Sequence, residues 1–566
     1  MQIVPGPAGP EPVTAHPAAA ALLRARVGGR FWAPAPVRLR PGSGLTLICA
    51  PEDPVAAGTL WHAALEAEDA ARLVLVLPRR LPAPRRFRAL AEKVRACGAQ
   101  VVTGDADPHA LLDHAAVLRL TRIGSLSALA LLRGLPVLCH EASGAVRAED
   151  PARALALLLS ATRYEDPFSG RPVTAEEAIA VLADWRRIML ANRGIAVCVG
   201  MSLWKRRRIA ELFARADATG APPFRRRATA AIRAARGPDG AVSGAIAVWS
   251  TRTPAGLAEQ AAAAGVPLQR VEDGFIRSLG LGSDLLPPAS VIVDGSGIYF
   301  DPSRPSDLET LLATHRFDDA IRLRARRLID RLVVAHISKY AAGGTAPVLD
   351  APAGRRVVLV PGQVADDLSV RLGGGAIQGN LELLQQVRRA APDAFVVYRP
   401  HPDVDAGHRA GALPDRTILQ LADRICRGGA MAPLIGAVDE VHTLTSLAGF
   451  EALLRGRRVV TYGQPFYAGW GLTEDRFPVS RRGRLLSVEE LAAATLILYP
   501  RYVDPRTRLP CGPEILIDRL GDHALWRPSL LMRLRRLQGR ARRRLQAARA
   551  GSRPRNGWTT EGVADA

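Results

Sequence analysis

Short runs of consecutive apolar residues alternate along the chain with longer stretches rich in alanine, leucine and arginine. The clearest runs are LTLICA (45–50), LVLVLP (73–78), IAVCVG (195–200), AIAVWS (245–250), RVVLVP (356–361) and AFVVYRP (394–400). Runs that are apolar at every position are typical of parallel strands buried on both faces. The stretches between them have the length and composition of helices. The pattern therefore predicts an α/β protein with doubly wound sheets.

Two blocks of sequence near the C-terminus have counterparts near the N-terminus. VHTLTSLAGFEALLRGRRVVTYG (441–463) matches LRLTRIGSLSALALLRGLPVLCH (118–140), and RYVDPRTRLPCGPEILIDRL (501–520) matches RYEDPFSGRPVTAEEAIAVL (163–182). The early copy lacks a counterpart of residues 465–484, and Leu129 stands where the later copy has Glu451. The repeat indicates a duplicated unit. We interpret the early copy as a degenerate half-module with a scaffolding role.

These patterns predict the order of domains. We expect a loose leader (1–40), a degenerate nucleotide-side half-module (41–190), an acceptor-side α/β domain (191–345), a nucleotide-sugar-binding α/β domain (346–525) and a basic tail (526–566). The two central domains would form a glycosyltransferase-B-like pair of Rossmann-type domains. In such folds, ligands bind at the carboxyl ends of the strands, in the cleft.

Composition narrows the class of protein further. Of 566 residues, 48% are hydrophobic and 23% charged, which is typical of folded domains and excludes a wholly disordered chain. The formal net charge of +22 suggests an anionic partner, yet lysine occurs only at Lys93, Lys205 and Lys339. The dominance of arginine, with abundant alanine, glycine and proline, favours a genome-wide coding bias. Charge therefore indicates a binding surface only where it is clustered.

Cysteine spacing and hydropathy bear on metals and on location. The six cysteines are scattered and form no CxxC pair, so we expect neither a zinc site nor a disulfide framework. We find no signal-peptide pattern at the N-terminus and no run of about 20 apolar residues. We therefore expect a cytoplasmic enzyme.

The first candidate site is the acidic pair in RVEDGFIRS. Glu272 and Asp273 follow an apolar segment and should lie at the carboxyl end of a strand, with Gly274 allowing a sharp turn. A carboxylate there can act as a nucleophile or a general base toward a sugar hydroxyl. The alternative is a surface turn or a helix cap.

The second candidate site is YRPHPDV, which follows the strand AFVVYR. Pro400 and Pro402 restrict the backbone on either side of His401 and hold its ring at the strand end. Arg399 and His401 offer donors suited to a phosphate. The alternative is a buried histidine with a purely structural role.

Two further segments complete the candidate site. In LTSLAGFEALLRG, Thr445 and Ser446 predict a capped helix whose N-terminus suits a phosphate, and Glu451 is placed to bind a ribose. An ordinary capped helix is the alternative. Gln363 lies in VPGQVADDLSVRLGGG, which has the character of a ligand-covering loop. The segment GQPFYAGWG (463–471) either lines the cleft or closes a hydrophobic core.

Six ordered motifs within residues 191–525 together resemble the KpsC-type capsule polysaccharide biosynthesis proteins. They are VEDGFIRSLGLGSDLLPPASVIVDGSGIYFD, VLVPGQVADDLSV, YRPHPDV, LTSLAGFEALLRG, PFYAGWGLTEDRFP and LYPRYVDP. The family comprises β-Kdo transferases that build a Kdo linker on a phosphatidylglycerol-type lipid from CMP-Kdo. Its full-length members carry two tandem modules. Because residues 41–190 lack the acidic pair, the HP motif and the aromatic loop, we expect a single active site.

The resemblance implies roles for the candidate residues. Asp273 would be the catalytic carboxylate, Glu272 its electrostatic neighbour, and His401 a donor to the CMP phosphate. Arg399, Gln363, Thr445, Ser446 and Glu451 would bind the donor nucleotide. Retention of configuration makes Asp273 a candidate nucleophile in a double displacement. Neither a metal ion nor a cofactor is expected, because the donor substrate is CMP-β-Kdo itself.

The tail predicts where the protein acts. Residues 527–555 contain 11 arginines and no acidic residue, with leucines near one helical face, as in helices that bind anionic membrane surfaces. We therefore expect peripheral association with the inner membrane, a lipid-linked saccharide acceptor and other capsule assembly proteins as partners, and no nucleic acid. A disordered tail is the alternative. Two other functions also stay open: an enzyme of the same fold using another CMP- or UDP-sugar, and a non-catalytic scaffold in a capsule export complex.

Overall fold

A computed structural model describes residues 16–35, 39, 44–141, 143, 145–155, 162–215, 220–276, 287–338, 344–407 and 409–526. The chain forms two compact units. The first comprises Met1–Ala196, Phe213–Pro223 and Pro510–Gly512, and the second comprises Val197–Leu212, Phe224–Leu509 and Pro513–Ala566. Of the predicted leader, only residues 16–35 and 39 are described, and the predicted tail segment 527–555 lies outside the described residues.

A six-stranded sheet forms the centre of the first unit. Its strands are β1 (Leu45–Cys49), β2 (Leu73–Leu77), β3 (Gln100–Thr103), β4 (Ala115–Leu120), β5 (Val137–His140) and β6 (Val146–Ala148). Their order is β3-β2-β1-β4-β5-β6, and all pairs are parallel except β5 with β6. Alternate residues of β2 pack into two different hydrophobic cores, with Val74 and Val76 in one and Leu73 and Leu75 in the other. This two-sided burial explains why the strand is apolar throughout.

The described part of the first unit also contains seven α-helices and a short hairpin. They are α1 (Pro17–Ala25), α2 (Pro54–Ala67), α3 (Pro84–Ala96), α4 (Pro108–Leu112), α5 (Ser125–Leu132), α6 (Pro151–Leu155) and α7 (Ala175–Arg193), with hairpin strands β7 (Tyr164–Glu165) and β8 (Pro172–Val173). Most of the helices begin where the sequence provides a cap. Asp53 accepts hydrogen bonds from Val55 and Ala56 at the start of α2, and Thr174 forms a capping box with Glu177 at α7.

The second unit begins with its own α/β region. It contains strands β9 (Ile195–Val199), β10 (Phe224–Arg225), β11 (Ala245–Trp249), β12 (Leu268–Asp273) and β13 (Ser290–Asp294), and helices α8 (Leu203–Leu212), α9 (Ala228–Ala235), α10 (Leu257–Ala263), α11 (Asp307–Thr314) and α12 (Asp319–Val334). The strands lie in the order β10-β9-β11-β12-β13. β12 is parallel to β11 and antiparallel to β13. β12, which ends in the acidic pair, is therefore an interior strand.

A third sheet follows in the second unit. Its strands are β14 (Val357–Pro361), β15 (Phe395–Arg399), β16 (Arg424–Ile425), β17 (Glu440–Thr443), β18 (Arg458–Thr461) and β19 (Glu474–Asp475), in the order β16-β15-β14-β17-β18-β19 and all parallel. The sheet is accompanied by α13 (Leu368–Gly373), α14 (Asn380–Ala390), α15 (Pro402–Asp405), α16 (Asp415–Ile418), α17 (Met431–Gly436) and α18 (Leu447–Leu453).

The last described elements return to the second sheet. They are α19 (Val488–Ala492), which continues as a π-helix (Ala493–Leu498), then β20 (Arg501–Val503), β21 (Pro510–Cys511) and α20 (Pro513–Leu520). β20 pairs antiparallel with β13, so β20 lies beside the strand that neighbours β12. No helix in the described part of the chain is both long enough and apolar enough to span a membrane.

The repeat seen in the sequence corresponds to a repeat in topology. The first and third sheets share one strand order, 3-2-1-4-5-6, which is that of the Rossmann fold. The first pair of matching blocks forms β4-α5-β5 and β17-α18-β18, and the second pair forms β7-β8-α7 and β20-β21-α20. The predicted α/β class, with paired Rossmann-type sheets preceded by a further α/β module, is confirmed.

Candidate functional site

One cavity of about 1080 Å³ lies in the second unit, at the carboxyl ends of strands from both of its sheets. All eight residues predicted from the sequence line this cavity: Glu272, Asp273, Gln363, Arg399, His401, Thr445, Ser446 and Glu451. They come from the ends of β12, β14, β15 and β17 and from α18. Parallel sheets bring strand ends together at one edge, which explains why residues up to 179 positions apart in the chain share a cavity.

Asp273 is the last residue of β12, and its carboxylate is paired with a lysine. Lys205, near the start of α8, places Nζ 3.0 Å from Asp273 Oδ1. The same ammonium lies 3.5 Å from the ring centroid of Trp249 and 5.2 Å from that of Trp204. The aromatic faces stabilise the cation, and the cation stabilises the carboxylate in its ionised form.

Sequence reasoning missed Lys205 as a functional residue. Its side chain is 9% exposed and that of Asp273 15%, so both charges are largely withdrawn from water. A buried charge pair costs desolvation free energy, which its mutual attraction must offset. The signal was present in the composition: a chain that uses arginine almost everywhere keeps lysine at only three positions, and Lys205 is one of them.

Glu272 lies beside Asp273 on the cavity wall. Its Oε1 accepts a hydrogen bond from the backbone N–H of Asp273, at 3.2 Å. This contact orients the Glu272 carboxylate along the strand end, so two carboxyl groups border the same space.

Gly274 is required by close packing and not by an unusual backbone angle. Its φ is not among the positive values of the described residues. A Cβ at this position would lie 2.8 Å from Cβ of Ser290 and would also collide with the Ser290 hydroxyl. Ser290 is fully buried, and its hydroxyl donates to the carbonyl of Ile276. The close contact fixes the path of the chain directly after Asp273.

We predict that Gly274→Ala destabilises the fold by about 1–3 kcal/mol, because overpacking forces β13 or the loop to shift. Thermal or urea unfolding measures this change directly. Gly436→Ala is the matched control, since no atom lies within 4 Å of its added Cβ and its φ is not positive. Equal stability of both variants would contradict the proposed packing constraint.

His401 is held by the turn that follows β15. Its Nδ1 accepts the backbone N–H of Asp403 at 3.1 Å. In the neutral ring the proton is then on Nε2, which makes that nitrogen a hydrogen-bond donor. His401 follows the end of β15 and lines the cavity.

Arg399 is buried and contacts backbone carbonyls. Its guanidinium donates to the carbonyl of Cys426 at 3.3 Å, to that of Gly429 at 2.8 Å and to that of Gly428. These contacts fix the loop after β16, and Gly429 in that loop lines the cavity. They favour a role in positioning the loop, whereas its predicted donation to a phosphate stays a prediction.

Gln363 connects the loops that follow β14 and β17. Its Nε2 donates to Thr445 Oγ1 at 2.9 Å, and its Oε1 accepts the backbone N–H of Thr445 at 3.0 Å. Its backbone N–H donates to Asn380 Oδ1 at 2.8 Å. The carboxamide therefore holds the two loops in one position relative to each other. The sequence predicted only a ligand contact for Gln363 and not this structural role.

Ser446 and Glu451 belong to the helix that borders the cavity. The Ser446 hydroxyl accepts the backbone N–H of Ala448, which confirms a capped helix start at α18. Glu451 lies one turn into α18 and is 8% exposed. Arg455 is half-buried close to it, and desolvation lowers the pKa of that guanidinium while the Glu451 charge opposes the shift.

The aromatic segment of residues 463–471 satisfies both of its predicted alternatives. Phe466 lines the cavity, whereas Tyr467 and Trp470 are fully buried. Phe466 also packs on Phe275, with ring centroids 5.0 Å apart. Tyr467 donates to the carbonyl of Ser446 at 2.5 Å. The segment thereby links the chain after Asp273 with the start of α18.

The part of the chain that the structure describes contains no group of three or more histidine, cysteine, aspartate or glutamate side chains placed to hold a metal ion.

The third sheet, with the Rossmann strand order, and the second, mixed sheet present strand ends to one cavity, which defines a glycosyltransferase-B-like α/β protein. Residues 244–502 match the model of a family described as "Capsule polysaccharide biosynthesis protein". The capsule polysaccharide modification protein LipA of Neisseria meningitidis serogroup A is 41% identical over 362 residues, which is 63% of this chain and 50% of LipA.

Two solved structures from Thermosulfurimonas dismutans KpsC also match. The beta Kdo 2,7 transferase is 34% identical, with a TM-score of 0.47, over 58% of this chain and 99% of that chain. The beta Kdo 2,4 transferase is 31% identical, with a TM-score of 0.49, over 57% and 98%. Residues 244–502 of this chain therefore carry the sequence features of the capsule polysaccharide biosynthesis family. The chain spans about half the length of the curated relatives it matches.

Proposed function

We propose that this chain is a glycosyltransferase of capsule biosynthesis, which transfers Kdo from CMP-β-Kdo to a lipid-linked acceptor of the Kdo-phosphatidylglycerol type with retention of configuration. The observation that carries the proposal is the Asp273 carboxylate, paired with Lys205 at a strand end and lining one cavity with His401. The descriptions of the two KpsC structures, both β-Kdo transferases, support Kdo as the sugar.

In the first half-reaction, an oxygen of Asp273 attacks the anomeric carbon of the donor. The bond from that carbon to the phosphate oxygen of CMP breaks, and its electron pair leaves with CMP. His401, with its Nε2 proton, donates a hydrogen bond to the departing phosphate. The product of this step is a glycosyl ester on Asp273.

In the second half-reaction, a hydroxyl of the acceptor attacks the same carbon and displaces the Asp273 carboxylate. The hydroxyl proton passes to a base, and Glu272 is the adjacent carboxylate on the cavity wall. Lys205 stabilises the carboxylate that is released. Two successive inversions give net retention.

The third sheet supplies the donor side of the proposed site. Thr445, Ser446 and Glu451 bind the phosphate and ribose, and Gln363 holds their loop in place. The leaving group is then stabilised by protein donors, so the reaction as proposed requires neither a metal ion nor a cofactor. The expected membrane contact and the peripheral inner-membrane location both rest on the arginines of residues 527–555. These residues lie outside the described part of the chain.

Transfer from CMP-Kdo to a synthetic lipid acceptor with a terminal Kdo tests the proposal. We expect product with CMP-Kdo and none with CMP-sialic acid or UDP-sugars, and NMR of the product should show a β-linkage. Product with another donor alone would reassign the sugar. A folded protein that is silent with every donor would contradict the enzyme and favour a scaffold in capsule assembly.

A further inference from the structure

A second, smaller pocket opens beside the cavity and carries four arginines. Its volume is about 270 Å³, and it shares Ser202, Leu203 and Arg252 with the wall of the main cavity. Arg206, Arg225 and Arg226 complete its basic lining. The three shared residues place it next to the cavity that Asp273 lines.

The pocket lies where the second sheet presents its strand ends. Arg225 is the last residue of β10, Gly200 directly follows β9, and Arg252 ends the short turn after β11. Gly200 has φ +76°, and a Cβ there would lie 2.7 Å from the carbonyl oxygen of Arg252. Glycine therefore lets the two loops approach and close the pocket floor. Ligand sites of open α/β sheets occur at this position.

The four arginines lack acidic partners among the described residues. On α8, the neighbouring Arg207 and Arg208 both pair with Glu211, whereas Arg206 turns to the pocket and lies 5.3 Å from the ring centroid of Phe224. Coding bias explains many arginines, but it does not explain four around one small pocket without a counter-charge. Such a cluster attracts an anion.

The identity of the anion follows from the position of the pocket. The proposed donor phosphate lies against the third sheet, at the segments after β15 and β17. The arginine pocket belongs to the second sheet and adjoins the cavity on the side of Lys205 and Trp204. A second anionic substrate bound in this pocket would therefore lie next to the cavity that Asp273 lines.

We propose that Arg206, Arg225, Arg226 and Arg252 bind an oxyanion of the acceptor, either the phosphodiester of its lipid headgroup or the carboxylate of its sugar acid. The inference rests on the proposed function for the presence of an acceptor. Guanidinium groups suit both anions, since each can donate two parallel hydrogen bonds to two oxygens. The pocket would hold the acceptor while its hydroxyl approaches Asp273.

The double variant Arg225→Gln/Arg226→Gln tests this proposal. Both side chains are exposed, so the fold should be preserved. We expect the KM for the lipid acceptor to rise at least about tenfold, with kcat and the donor KM within about twofold of wild type. Arg227→Gln is the matched control, since Arg227 is the next residue, is exposed and does not line the pocket.

Three fluorescent acceptors then distinguish the two sources of the anion. The first carries both phosphodiester and carboxylate, the second lacks the phosphodiester, and the third has its carboxylate esterified. One acceptor should bind wild type and double variant with equal affinity. The group that this acceptor lacks, or carries in esterified form, is the group that the pocket binds. Equilibrium binding needs no turnover, so this measurement is informative even if no transfer occurs. An absence of transfer would reject the proposed function and would leave the pocket assignment open to this binding test. Unchanged affinity of the double variant for all three acceptors would overturn the pocket assignment.

Discussion

Asp273→Asn is expected to lower kcat by at least about 10³-fold, to the limit of detection. Asparagine has nearly the same size and keeps a polar group beside Lys205, but it lacks the charge needed to attack the anomeric carbon. Initial rates at saturating donor and acceptor measure the effect. Thermal unfolding of the same preparation shows whether the variant is folded.

Glu259→Gln is the control for this substitution, because Glu259 is exposed on α10 and does not line the cavity. Mass spectrometry of the wild-type protein with donor alone separates a nucleophile from a base. A Kdo adduct on the peptide that contains Asp273 supports double displacement. Substantial activity of Asp273→Asn would place the catalytic carboxylate elsewhere.

Lys205→Met has the second-largest expected effect, a decrease in kcat of about 10²-fold with a smaller change in the donor KM. The methionine removes the cation that orients Asp273 and stabilises it when it leaves the sugar. Lys205→Arg keeps the charge and should recover part of kcat. If Lys205 had a purely structural role, Lys205→Arg would not recover kcat. The loss of kcat in Lys205→Met would also not exceed its change in the donor KM.

Stability measurements separate the two consequences of losing Lys205. Removing one member of a largely buried charge pair costs about 3–5 kcal/mol, so Lys205→Met should unfold at lower temperature. The double variant Lys205→Met/Asp273→Asn removes both charges and should regain much of that stability while staying inactive. Lys93→Met is the matched control, since Lys93 is exposed on α3. Wild-type kcat in Lys205→Met would contradict the role of the pair.

The fold was predictable because its strands are buried on both faces. Such strands must be apolar at consecutive positions, and the runs at 45–50, 73–78 and 356–361 all contain a strand of the structure. The repeat was predictable as well, since matching blocks have matching topology. Strand order was not, because the sequence of apolar runs does not specify which strands pair.

The candidate site was predictable only in part. Polar residues directly after a buried strand mark its carboxyl end, and this reasoning placed Asp273 and His401 at the carboxyl ends of their strands. It gave no contacts. Arg399 donates to the carbonyl of Cys426, 27 positions away, and Gln363 donates to Thr445, 82 positions away. Sequence patterns over a few neighbouring residues do not specify such contacts.

The sequence by itself determined the α/β class, the repeat and the strand-end residues, because local hydropathy and turn chemistry act over a few neighbouring positions. Only the tertiary structure decided the pairing of Lys205 with Asp273, 68 residues apart, and the meeting of Arg206, Arg225 and Arg252 around one pocket. Such contacts arise from the packing of separate strands and helices. Their energies depend on distance and burial, which the order of residues along the chain does not specify.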